Sequence, residues 1–550
     1  MKKIFISFVA FAAASVLMSS CSNDESTATT TTNDQLTAFT GGIVTEVPME
    51  RVQIGTPGGS TLTPGITTRT SMNRNAIGGQ GAFLWEPKDV IYVEDDKKKL
   101  CKSLNAITES APRTTFLVDG TYTGKSQYDV YYCGTNTGAG AKKVVIADNQ
   151  TQSAFNNTKH FGAVGDCGVA KAENTTVQGK SGYRFDLEHK ASYLCFLPYM
   201  AIKAQRANFR IQRIEITSDN NIAGTYDLTQ SGLSATGTNE SKTITLHVGS
   251  DGLLFADQAA ETKSIKNSLY VVIAPGTHAL KVKYTVLDAK NTVMTITKSY
   301  KSHNFGANKI CDIPVNLGVR HYSGRNYYMW DARENYWLGH EWDSATPWQP
   351  TVEDAEHDGY PKSKDADGAR WYNEGRGAFD ASVNPLFKQL PNANEMAWYG
   401  ARGDVHWERT TWWEVFGELH TGGLWLKKLS VIAQENGKDL AALKLKDPKG
   451  HDLLNPSIVH DAAPINSYIF KVKYGKPADN VIGKYFFLPA LGYYNNGRLV
   501  GLGSDGFYWS SSAYPSKISR DSYRLNFHSD KAGIWLSSYR GYGHVAQPFE

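Results

Sequence analysis

Only six of the 550 residues are cysteines, and none lies beyond Cys311. The last two-fifths of the chain therefore folds without disulfides and has no thiol nucleophile or thiolate metal ligand. Cys101, Cys133, Cys167, Cys195 and Cys311 are widely spaced, with no CxxC pair and no metal-finger spacing. They read as mostly free, buried thiols that behave as small hydrophobes, with one disulfide possible. Net charge is equally small. The net value is +4, and no block of Lys and Arg is interleaved with aromatics, which excludes the usual nucleic-acid partner. Past the N-terminus no apolar run approaches the roughly 18 residues that span a bilayer. No GxSxG, HExxH or P-loop pattern occurs, so enzymatic chemistry has no sequence support and no cofactor is implied.

What is plentiful is glycine and aromatic side chains: 50 Gly, 29 Tyr, 22 Phe and 13 Trp. With ordinary charge content, this favours a β-rich protein of extracellular type. From Leu36 onward apolar residues alternate. In Leu280–Val286 every second side chain is apolar, as at Ile244, Leu246 and Val248 and at Phe185 and Leu187, the period of a strand with one face on a core. Leu269–Ala274, closed by Pro275-Gly276, reads as a strand buried on both faces. The predicted fold class is mainly β, with antiparallel sandwiches first and a different domain after them. Twelve of the thirteen tryptophans lie beyond Arg320, the exception being Trp85, so the composition changes there. In this last part Asn392 and Glu395 form a capping box opening a helix over 393–402. A second short helix is expected from Thr411, with Trp412, Val415, Phe416 and Leu419 on one face.

The N-terminus reads as an address. Met1-Lys2-Lys3, an apolar core over 4–17 and small residues before Cys21 resemble a bacterial lipoprotein signal. That resemblance implies acylation of Cys21. Ser22-Asn23-Asp24-Glu25 is similar to the tag that sends Bacteroidetes lipoproteins to the outer face of the outer membrane. The alternative is a cleaved secretory signal with an incidental cysteine. Residues 21–35 are too polar and low in complexity to fold and read as a tether.

Five segments occur in register: GAFLWEPKDVIYV (81–93), FDLEHKASYLCFLPY (185–199), IAGTYDL (222–228), LYVVIAPG (269–276) and FGANKICDIPVNLG (305–318). Together they resemble the fimbrillin (Mfa-like) proteins of Bacteroidetes. The resemblance implies two transthyretin-like β-sandwiches, expected over 36–197 and 198–318. Family members carry Gly-Asp after the Trp-Glu pair, whereas this chain has Pro87-Lys88-Asp89. The family assembles by strand addition with other fimbrial subunits, after cleavage at a basic residue. That places the candidate cut at Arg69 or Arg74, in a polar loop; the alternative is two solvated arginines. Because the chain continues well past Leu317, it is expected to accept a strand and not to donate one, as a tip or stand-alone surface protein.

NPLFKQLPNANEMAWY (384–399), YFFLPALGYY (485–494) and GFYWSSSAY (506–514) resemble a C-type-lectin-like α+β domain, expected over 319–550. The calcium triplets of sugar-binding lectins are absent, since Gln349-Pro350-Thr351 lacks the acidic ligand. Asp365-Ala366-Asp367-Gly368 is only part of an EF-hand loop, so no metal site is expected. His340, His406 and His420 read as structural. Enzymes that share this fold act through a cysteine pair, which this region lacks.

The closing stretch mixes amphipathic rings with small hydroxyl and amide side chains, the composition of adaptable recognition surfaces. The candidate ligand-binding residues are Trp509, Ser511, Tyr514, Tyr523, Asn526, His528, Trp535, Tyr539 and Tyr542. Strand alternation implies that about half of these are core. The reading is a surface-anchored or fimbrial-tip adhesin whose terminal domain binds a host or bacterial glycan or protein. The alternative is a structural fimbrial anchor or accessory subunit in which the domain only packs, its aromatics forming a Tyr-rich core.

Overall fold

The computed structural model describes residues 36–42, 49–51, 71–78, 81–135, 140–177, 180–255, 265–457, 469–516 and 520–550. It is mainly β, with few and short helices. Cys21 and Arg69 lie outside the described residues. Among the described residues no helix is long and apolar enough to cross a membrane.

The first sheet runs Leu100–Lys102, Tyr92–Glu94, Gln127–Tyr132, Gly168–Val177, Lys180–Asp186, Thr37–Gly42 and Thr114–Val118. Thr37–Gly42 is an interior strand. It runs parallel to Lys180–Asp186 and antiparallel to Thr114–Val118, and Phe39 is fully buried with Trp85, Phe116, Tyr183 and Phe185. Trp85 meets Phe116 and Tyr132 edge-on at 4.9 and 5.5 Å, a favoured aromatic arrangement.

The second module is a true sandwich. One sheet orders Asn149–Gln152, Thr243–Val248, Arg210–Ser218, Gly276–Leu287 and Val293–Phe305. The other orders Met49–Arg51, Ile310–Asn316, Ser192–Tyr199 and Leu269–Ile273. All five residues of Leu269–Ile273 are buried, as the continuous apolar run predicts, and Ile244, Leu246 and Val248 point inward together. The pairings do not divide at position 197. Ser192–Tyr199 is central to the second module, and Lys143–Ile146 and Asn149–Gln152 leave the first module to pair with its strands. Two buried glutamines secure this crossing by standing in for backbone. Gln150 bonds Val272 N and O at 3.0 and 2.7 Å, and Gln152 bonds Tyr270 N and Ser268 O at 2.7 and 3.0 Å. A buried amide left unpaired would cost about 1–3 kcal/mol, so the fully bonded pair fixes the register.

All five described cysteines are free and buried. Burial pushes the Cys133 thiol up to about 11 and those of Cys167 and Cys195 well above the ordinary value, so these thiols are unreactive. At the 86–89 turn Lys88 adopts φ 79°, a left-handed conformation that glycine takes without strain. Asp89 holds the turn by accepting from Glu86 N at 2.7 Å and Tyr132 OH at 2.9 Å.

The third module, from Arg320 onward, is α+β. Its main sheet orders Tyr327–Tyr328, His544–Val545, Gly506–Ala513, Asp521–Phe527, Lys531–Tyr539 and Ile469–Lys471, so the beginning and end of the module pair with each other. The helix Ala393–Arg402 forms as expected, with both capping-box bonds at 2.9 Å. The expected helix from Thr411 does not form. Trp413–Val415 and Glu418–His420 are instead the arms of a hairpin, because Phe416 and Gly417 take φ 57° and 75° in the tight turn between them. This hairpin seats the head on the second module. Leu419 is buried in that module's core and its N–H donates to Asp288 Oδ2 at 3.0 Å, while Lys290 pairs with Glu418 at 2.5 Å. On the other side of the junction Gln205 bonds Val319 N and O. The junction is packed and hydrogen-bonded.

Candidate ligand-binding face

Strand alternation sorts the candidates. In Asp521–Phe527 the residues Tyr523, Leu525 and Phe527 face the core, and Arg524 and Asn526 face outward. Arg524 lies opposite Trp535, and Asn526 lies opposite Gly533 and Phe507. Phe507, Asn526, Arg524 and Trp535 therefore share one face of the sheet. Trp535 and Tyr539 are its exposed rings, 42% and 37% accessible. Around them Tyr493 lies 4.3 Å from Phe507, and Tyr542 lies 5.8 Å from Tyr493 and 5.6 Å from Tyr539. Tyr539 rests edge-on against buried Tyr372 at 5.7 Å, and burial with that neighbour pushes its phenol up to about 12. Arg520 donates to Tyr372 OH at 3.2 Å at the rim.

Three sequence candidates are instead scaffold. Trp509 is on the outward side by alternation, but the segments around Trp330 and Phe387 cover it, and its Nε1 donates to Tyr328 O at 2.8 Å. Tyr523 is fully buried, its hydroxyl donating to Leu453 O at 2.6 Å. Ser511 is buried, its carbonyl accepting from Ala381 N at 2.7 Å. The neighbouring Ser510 and Ser512 hydroxyls bond Pro391 O and Asp380 at 3.0 and 2.9 Å, and Ser512 also accepts from Ala393 N at the helix start. The serine run thus ties helix Ala393–Arg402 and its approach loop to the sheet, and does not offer adaptable contacts.

The others are partly available. Tyr514 is half-buried against Tyr523, with its phenol raised by burial. Asn526 donates to Gly506 O at 3.3 Å. His528 sits in the 528–531 turn, 2.5 Å from Asp530. Alternation alone could have found Phe507 and Arg524, which lie two residues from Trp509 and Asn526. Nothing in the sequence marks Tyr493, which arrives from another strand.

Arg74 is not in a loop. It ends the strand Ser71–Arg74, with its side chain inaccessible in a two-pronged pair with Asp312 at 2.6 and 2.5 Å, and it also donates to Cys195 Sγ at 3.3 Å. The polar Thr/Asn-rich context concealed a strand, which pairs with nearby Gly81–Leu84 and whose counter-ion, Asp312, comes from far along the chain.

Elsewhere in the head, Tyr474 is 73% accessible, and Trp348 stacks between His340 and His357. His420 packs on Trp413 at 4.9 Å, with burial holding its pKa down at about 4. Asp367, from the partial EF-hand segment, pairs with Arg370 at 2.5 Å. No cluster of three or more metal-ligating side chains occurs among the described residues.

No protein-family model matches the chain, and no curated protein does. Among solved structures it is similar to a candidate cell adhesion protein from Bacteroides ovatus, at 13% identity and TM-score 0.27, over 42% of this chain and 83% of that one. A second such protein, from Bacteroides uniformis, is 17% identical over 42% of this chain and 88% of its own, with TM-score 0.26. A fimbrial protein from Bacteroides ovatus covers 86% of this chain and 94% of its own at 10% identity and TM-score 0.23. At these identities and TM-scores the likeness bears on no residue and no activity.

Proposed function

We propose that the chain is a cell-surface or fimbrial-tip adhesin whose third module binds a glycan or protein through the face carrying Trp535 and Tyr539. One observation carries this reading. The exposed large aromatic rings among the described residues, namely Trp348, Tyr474, Trp535 and Tyr539, all belong to the third module, and none belongs to the first two. Exposed rings backed by a packed sheet give large contact area with little conformational entropy to lose on binding. The fimbrillin-like motifs of the first two modules and the lipoprotein-like N-terminus support surface display from an outer-membrane anchor at Cys21. The interior placement of Thr37–Gly42 supports strand acceptance. Its departure would open a groove lined by Trp85, Phe116, Tyr183 and Phe185, which a donor strand from another subunit would refill by β-augmentation. Cleavage at Arg69 or Arg74 belongs to the same proposal, and at Arg74 it requires the Asp312 pair to open first.

Glycan and protein arrays probed with the full chain and with a Trp535→Ala/Tyr539→Ala variant test the reading. Binding by the parent and its loss in a variant of unchanged melting temperature is the expected result. Binding by neither would favour a structural subunit.

A further inference from the structure

Three buried or half-buried arginines sit in very different company. Arg74 has a carboxylate. Arg540 is fully buried with acceptors on Nε and Nη1, namely Asp521 O at 3.1 Å, Asn373 O at 2.9 Å and the Gly375 carbonyl, and with the Trp330 ring 4.5 Å away; only its Nη2 has no hydrogen-bond partner among the described residues. Arg524, on the candidate face, has no carboxylate, and both its acceptors fall on one nitrogen. Its Nη1 donates to Ser538 Oγ at 3.2 Å and His544 Nε2 at 3.1 Å, both neutral acceptors. Its Nε is buried without a partner, and no hydrogen bond reaches Nη2 among the described residues. His544 is buried and held neutral by that burial, with the neighbouring guanidinium acting in the same direction. The charged form of Arg524 is disfavoured too: burial pulls its pKa down to about 10, against only the opposing influence of Tyr493 and Tyr542. No carboxylate is close enough to contribute.

A cation half withdrawn from water and facing only neutral partners is costly, since buried charges are as a rule paired, and an anion on this face would supply the missing partner. The flanking rings narrow the choice. The Phe507 ring lies 5.1 Å from the guanidinium carbon, Tyr493 stands beside Phe507, and Trp535 is directly across the strand. Aromatic faces next to an arginine suit a ring with apolar C–H faces and an anionic substituent.

We infer that the face binds an acidic saccharide, with the carboxylate or sulfate of the sugar seated on Arg524 and the sugar ring laid against Trp535 and Phe507. This inference rests on the adhesin reading and names its ligand class. An anion there meets charge-assisted donors in a partly dry setting, so its affinity depends on the guanidinium and on ionic strength.

The test uses the full chain on an array of saccharides, followed by titration with lactose, 3′-sialyllactose and lactose 3′-sulfate, which share a core and differ in the charged group. Acidic sugars are expected to bind and neutral lactose not to. Carboxylate and sulfate arms show which anion is preferred. Arg524→Gln should weaken acidic-sugar binding at least about tenfold. It should not lower the melting temperature, since it removes an uncompensated charge. If Arg524→Gln fails to fold, the parent chain still decides, because binding must weaken as sodium chloride rises. Binding to neutral sugars or proteins that Arg524→Gln leaves intact and Trp535→Ala abolishes would overturn the acidic-ligand inference and leave the adhesin standing. Binding to nothing would overturn both.

Discussion

The first two modules and the third, the head, use aromatic residues in opposite ways. In the first module Phe39, Trp85, Phe116, Tyr128, Tyr132, Tyr183 and Phe185 all lie inside, each ring edge to face or stacked with another. The head also buries most of its rings, yet its outer sheet face keeps Trp535 and Tyr539 in water beside the half-buried Phe507, Tyr493 and Tyr542. The lesson is that a Tyr- and Trp-rich composition does not distinguish core from surface. The covering segments do: the outward side near Trp509 is roofed by the Trp330 and Phe387 region, and the side near Phe507 and Trp535 is not. The charges divide in the same way, Arg74 meeting a carboxylate inside the first two modules and Arg524 meeting none on the head.

The contrast can be broken first at its most buried point. Arg74→Met leaves Asp312 as an unpaired buried carboxylate and is expected to destabilise the sandwich part by roughly 3–5 kcal/mol in denaturant unfolding. An equal loss in the unfolding of the head would contradict the separation of roles. Trp509→Ala should cost about 3–5 kcal/mol, as a core tryptophan does. Trp535→Ala on the same sheet should stay within about 0.5 kcal/mol, read from paired thermal melts.

Acidification probes the seams. His160 and His420 are buried with pKa values held down at about 4, both by desolvation, against an ordinary 6.5. The unfolded chain takes up protons near pH 6.5, and the folded chain resists until about pH 4. Stability is therefore full above pH 6.5 and falls as pH drops from there towards 4, by a few kcal/mol in all. At His420 the facing charges are Asp288, which favours protonation, and Lys290, which opposes it. His420→Phe should flatten the unfolding midpoint between pH 6.5 and 4.5. Smallest of all, Lys88→Gly relieves the left-handed turn and should raise stability by roughly 0.5–1 kcal/mol, measured against an unchanged head.

Legibility followed the range of the interactions. Alternation gave the strands around Leu280 and the buried run at Leu269–Ile273, and the capping box gave the helix Ala393–Arg402, because those signals are local. The hairpin at Trp413–His420 stands where a helix is expected because Trp412, Val415, Phe416 and Leu419 fall at the i, i+3, i+4, i+7 spacing of a helix face, and only the Phe416-Gly417 turn decides otherwise. The burial of Arg74 and the crossing of Asn149–Gln152 into the second module depend on partners far along the chain, Asp312 and the strand Thr243–Val248. At the candidate face, alternation separated Asn526 from Tyr523. It could not foresee the roof over Trp509 or the burial of Ser511, which come from segments more than a hundred residues away.

The most direct measurement is hydroxyl-radical footprinting of the full chain with and without the surface or ligand it binds. Protection is expected to concentrate at Trp535, Tyr539 and Phe507, with Tyr474 and Trp348 on the same module unchanged. Protection confined to Tyr474, Trp348 or the sandwiches, with Trp535 oxidised at the same rate in both states, would contradict it.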